Sequence, residues 1–116
     1  MQIVLLTLPM KPGKLNEYKA FAEEIMGPRK EEYKDLLNRY GLKSVNVWHA
    51  KLADRDYVIV MHDADEKAKE HLQRWSSSTH PFDQWFSAQL LKCYDIKDFD
   101  HLPEQPEFLF GLQLKS

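Results

Sequence analysis

Short apolar runs alternate with longer amphipathic ones along this chain, and their order predicts its elements. Gln2–Leu8 is apolar, branched and stopped by Pro9, too short for a helix, so it is predicted as a strand. Both of its parities are apolar (Ile3 and Leu5; Val4, Leu6 and Leu8), which predicts cover on both faces. Lys11-Pro12-Gly13-Lys14 is a turn, with Pro fixing φ and Gly free to take positive φ. Leu15, Tyr18, Ala22, Ile25 and Met26 then recur at helical spacing, with Phe21 beside the stripe. Gly27-Pro28 interrupts that helix, because proline inside a continuous helix costs roughly 3 kcal/mol but is tolerated in a first turn. A second helical run is predicted from Pro28 to Tyr40, with Tyr33, Leu36, Leu37 and Tyr40 inward and Gly41 as its stop.

Lys43–Leu52 and Tyr57–Asp63 are predicted strands of a hairpin joined by Ala53-Asp54-Arg55-Asp56. Pairing Leu52 with Tyr57 puts Asn46, Trp48, Ala50, Leu52, Tyr57, Ile59 and Met61 on one face. The other carries Val45, Val47, His49, Lys51, Val58, Val60 and His62. Asp63 and Glu66 have the spacing of a capping box opening a helix with Ala68, Leu72 and Trp75 inward. Ser76–Thr79 ends it. Thr79-His80-Pro81 opens a further helix with Phe82, Trp85, Phe86, Gln89, Leu90 and Cys93 along one face. After a connector at 97–106, Phe108–Leu114 is the last predicted strand, with Phe108, Phe110, Leu112 and Leu114 on one parity.

The predicted order is βαββαβ, a ferredoxin-like α+β arrangement with a four-stranded antiparallel sheet and both helices, each broken in two, on one face. A lone sheet of this kind has one wet face, which should be polar. Here neither hairpin face is polar, so the uncovered face is expected to pack on a second copy and form a dimeric α+β barrel.

Composition narrows the classes further. The 116 residues fit one domain spanning the whole chain. Sixteen Lys+Arg against 18 Asp+Glu give a charge of −2, which argues against nucleic acid as a partner. No apolar run approaches the ~18 residues of a membrane span. The start lacks the basic region of a signal peptide, so a cytoplasmic protein is expected. The single cysteine, Cys93, forbids an internal disulfide and a multi-Cys zinc site. No Gly-rich phosphate loop is present among four separate glycines.

The Lys11-Pro12-Gly13-Lys14 turn, the two-part first helix, the Trp-bearing hairpin and the stretch His80-Pro81-Phe82-Asp83-Gln84-Trp85-Phe86 resemble a family of short stand-alone proteins with no assigned activity. That family lies in the dimeric α+β barrel superfamily, distantly similar to antibiotic-biosynthesis monooxygenases and haem-degrading monooxygenases. The resemblance implies a homodimer through the sheet face and a small-molecule cavity between sheet and helices. It implies no obligatory cofactor. The haem-degrading relatives raise haem, for which Trp75 and His80 would stand in, but the first strand has no Asn to complete their set.

Among candidate site residues, His49 and His62 share a hairpin face and are the acid–base candidates, since imidazole exchanges protons near neutral pH. Trp48, Tyr57 and Trp75 are candidates for stacking on a ligand, and His80 for contacting it. His80 equally suits a structural role, bonding a free backbone group at a helix start. No metal site is expected, because two His without a third ligand fall short of a zinc or iron set. Two functions compete: a small-molecule binder or enzyme, monooxygenase-like or proton-transferring, and a non-enzymatic homodimeric binding or assembly module with a filled barrel. An empty ligand-sized cavity with both His side chains inside would favour the first.

Overall fold

The computed structural model describes residues 2–66, 75–100, 102–104 and 106–114. Strand β1 (Gln2–Pro9) leads through the Lys11–Lys14 turn, where Gly13 takes φ +75°, into α1 (Leu15–Met26) and α2 (Lys30–Arg39). Strands β2 (Leu42–Leu52) and β3 (Arg55–Ala64) form the hairpin. A 3₁₀ turn (Trp75–Ser77) and α3 (Pro81–Cys93) complete the elements among the described residues.

The sheet has three antiparallel strands in the order β1-β3-β2, which corrects the expected four. Residues 106–114 are exposed and outside any strand, so the predicted strand Phe108–Leu114 joins no ladder among the described residues. Pro103 and Pro106 give a physical reason, since they stiffen the connector into an extended path. The chain thus matches the ferredoxin-like order only up to its last helix. The helices are also not two broken pairs. α1 and α2 are separate helices divided at Gly27–Arg29, where a Cβ on Gly27 would lie 2.9 Å from the Glu23 carbonyl oxygen. Asp63 pairs with Ile3 and Ser44 inside β3, so strand pairing displaces the expected capping box. The body of the helix expected there, at 67–74, lies outside the described residues.

The hairpin turn is tighter than expected. Leu52 pairs with Arg55, leaving a two-residue loop in which Ala53 and Asp54 both have positive φ, 51° and 61°. The register moves by two residues, which keeps each side chain on its predicted face but changes its neighbours. Val45 and Val4 flank His62, while His49 lies opposite Val58 near the turn.

The described helices lie on one side of the sheet. Val4, Leu8, Val58 and Val60 are buried against them, with Phe21 and Ile25 of α1, Tyr33 and Leu36 of α2, and Phe82 and Phe86 of α3. The α1 stripe is rotated from the expected one, so that Met26 is exposed and Phe21 central. Gly41 ends α2 with φ +69°, the left-handed stop its position implied. Aromatic contacts tie the helices together: Phe86 stacks on Tyr33 at 5.3 Å and meets Phe21 at 5.3 Å. The opposite face of the sheet carries Ile3, Trp48 and Leu52, all exposed.

Candidate functional site

The helix layer does not fill the concave side of the sheet. A cavity of about 560 Å³ remains between them, within the range of ~300–1,000 Å³ typical of small-molecule sites. Leu6, Val47, Val60 and His62 form its sheet wall, and Tyr18, Phe21 and Phe86 form much of its helix wall. Tyr94, Phe99, Asp100 and Leu102, in the chain after α3, line it too. The exposed Val47, Asp100 and Leu102 mark where it reaches solvent. Two contacts place that segment. The backbone N–H of Asp95 donates to the Pro9 carbonyl at 2.7 Å, and Ser76 Oγ donates to Asp100 at 2.8 Å.

The polar groups in this wall are few and, apart from Asp100 at the rim, uncharged. His62 Nδ1 is buried with no hydrogen-bond partner. Burial pushes the His62 pKa below 6.5, so the imidazole is neutral at pH 7. The Tyr18 and Tyr94 hydroxyls bond each other at 2.8 Å, and burial pushes both phenols up, keeping them protonated. Burial likewise raises Tyr33. Asp100, at the exposed rim, is the only charged side chain lining the cavity among the described residues, and none is cationic.

A buried carboxylate fixes the helices around this space. Asp83, on the first turn of α3, accepts from both terminal nitrogens of Arg39 at 2.7 Å, from Ser78 Oγ at 2.7 Å and from Tyr40 Oη at 3.0 Å. Burial alone would raise its pKa, but the bonds from Arg39, Ser78 and Tyr40 outweigh that and hold it below 3.8. Arg39 is raised in turn, chiefly by its bonds to Asp83. The bidentate pair joins the end of α2 to the start of α3. Sequence reasoning missed Asp83. Its one signal was an acidic residue in a predicted first helical turn, a place where carboxylates favour the helix dipole.

The structure separates the six candidates. His62 and Trp75 line the cavity. His49 does not. It is exposed near the hairpin turn, with Nε2 2.7 Å from Asp56 Oδ1. Trp48 and Tyr57 lie on the helix-free face, Trp48 exposed and Tyr57 beneath the Arg55 guanidinium at 5.8 Å. His80 caps α3, its Nδ1 accepting from the Phe82 backbone N–H at 3.2 Å. The sequence pattern gave no sign of the Tyr18–Tyr94 pair, which depends on packing between residues 76 positions apart. Among the described residues no group of three or more His, Cys, Asp or Glu side chains could hold a metal ion, and no helix is long and apolar enough to cross a membrane. Cys93 is free and buried. No protein-family model matches the chain, and no curated protein matches it significantly.

Proposed function

We propose that this protein binds a neutral, ring-containing small molecule in the cavity between sheet and helices, with His62 as the polar contact. The observation that carries this reading is the neutral His62 imidazole in the wall of a 560 Å³ space lined mostly by apolar and aromatic side chains. A ligand group that hydrogen-bonds the His62 ring fixes its orientation in a site whose other walls are mostly apolar. With no cationic lining residue described, an anionic ligand would lose its hydration without compensation. If the ligand is turned over, the role open to His62 is proton transfer, as a neutral base at pH 7. Monooxygenase-like turnover would place the same imidazole beside the substrate, with Trp75 as a stacking wall.

Haem fits this lining poorly. His80 is engaged at the start of α3, and no lining Lys or Arg is described to meet the propionates. We therefore read the site as working without haem. The free, buried Cys93 suits the cytoplasm.

Thermal-shift measurements with indole, naphthalene and their carboxylated analogues test the proposal. The neutral rings should raise the melting temperature and the carboxylates should not. Leu90→Trp, which fills the cavity from α3, should remove the shift. No shift with any neutral ring, or a shift in Leu90→Trp equal to that of the wild type, would contradict it.

A second copy is the other part of the reading. Ile3, Trp48 and Leu52 expose about half or more of their surface on the helix-free face, which suits a homodimer through that face. A homodimer that only assembles or binds other chains is the alternative function, and it is favoured if the cavity takes no small molecule.

A further inference from the structure

Residues 107–114 read Glu-Phe-Leu-Phe-Gly-Leu-Gln-Leu, with no charge after Glu107. Phe108, Phe110, Leu112 and Leu114 share one parity of the run and are 82–87% exposed, with Leu109 at 77% on the other. At ~150–250 Å² per aromatic side chain, the two phenylalanines alone expose roughly 250–400 Å². That already reaches the size of the largest apolar patch on a typical monomer, about 300–600 Å². A seven-residue β-prone run of this kind is a strand in want of a partner.

Among the described residues the sheet has two open edges, and they differ. β2 carries Lys43 and Lys51, the charges that protect an edge from foreign strands. β1 (Gln2–Pro9) carries no charge along its eight residues, and among the described residues its outer side is met only at its end, by the Asp95–Pro9 bond and the Met10–Tyr94 bridge. Segment 107–114 is also eight residues long. It stands away from its own β1, behind Pro103 and Pro106, which stiffen the connector.

We propose that segment 107–114 adds as a strand to the β1 edge of a second copy, and that the second copy returns its own segment in the same way. This rests on the two-copy reading above and gives it a specific contact. The exchange is reciprocal and closes as a two-fold dimer. Val4, Leu6 and Leu8 of β1 line the cavity, so the partner's segment lies along the wall of the ligand site.

The test uses the full chain. Light scattering should give two chain masses, each 13.7 kDa, for the wild type. Amides at 3–8 and 108–114 should be protected against hydrogen exchange. Phe108→Ser/Phe110→Ser/Leu112→Ser should halve the mass and remove the protection of 108–114 and of the outward-pointing β1 amides, while the β1 amides bonded to β3 stay protected and far-UV dichroism is otherwise retained. Gly111→Pro, which removes a backbone donor at an exposed position, should do the same without touching an apolar side chain. A dimer that survives both tail variants overturns the proposal. So does protection of 108–114 in a species of one chain mass, which would mean pairing within the chain. Trp48→Lys separates the two ideas: if it alone dissociates the dimer, the sheet-face contact stands and the strand exchange falls. A wild type at one chain mass removes both.

Discussion

One sheet here has two unlike faces made from the same strands. On the helix side, Val58 and Val60 are buried and the remaining space is a cavity walled in part by His62 and open to solvent at one rim. On the other side, Trp48, Leu52 and Ile3 are open to water although they are just as apolar. Alternation along a strand creates both faces, and only the placement of helices decides which one becomes a core. The two hairpin histidines show the same lesson along one face. His62 sits deep in the cavity wall, and His49, near the turn, reaches past the helices to pair with Asp56.

Substitutions that place a charge on each face sharpen this contrast most. Val58→Asp puts an unpaired charge in the core and is expected to cost more than about 4 kcal/mol in urea unfolding. Trp48→Lys on the open face should change single-chain stability by no more than about 0.5 kcal/mol. Equal losses for the two would erase the distinction.

The helix layer itself depends on the Asp83 anchor. Arg39→Ala leaves that carboxylate without its bidentate partner. The expected loss is about 2–3 kcal/mol, under the roughly 3–5 of a fully buried pair because Arg39 is 32% exposed. Since the folded Asp83 pKa is held below its ordinary value, its contribution is full above about pH 4 and is lost as pH falls through the depressed folded value. Acid unfolding curves of wild type and Arg39→Ala should therefore converge at low pH.

His62 has the opposite chemistry but the same sense of slope. Its folded pKa lies below 6.5, so the unfolded chain takes up the proton first as pH falls. Stability is full above about 6.5 and declines as the pH drops from there through the depressed folded value. Urea midpoints measured from pH 8 to 5 should show this decline in wild type and a flatter profile in His62→Gln. His49→Gln should leave the wild-type slope in place. The smallest effect concerns the turn between these strands. Ala53→Gly relieves an alanine held at φ 51° and should stabilise the chain by about 0.5–1 kcal/mol in the same assay.

Much of the fold was legible because it rests on local pattern. The first strand, the α2 stripe of Tyr33, Leu36 and Tyr40, the Gly41 stop and the two hairpin faces follow from spacing and turn chemistry. The hairpin register did not, because nothing in Ala53-Asp54 announces positive φ as Asn-Gly would. The last strand failed for a different reason: the alternation in 108–114 is local, and a strand also needs a neighbour to pair with, which the described residues do not supply. For the site, residue type marked His62 and Trp75 as candidates. Their meeting with Tyr18, Tyr94 and Phe99 depends on long-range packing that no window of sequence contains.

The central claim is that the ligand site lies on the helix-covered face at His62. Imidazole ring resonances of both hairpin histidines, followed during titration with indole, test it most directly. The account expects the His62 signals to shift and saturate while those of His49 stay in place. Saturable binding that leaves His62 unmoved, or no binding up to the solubility of indole, would contradict it.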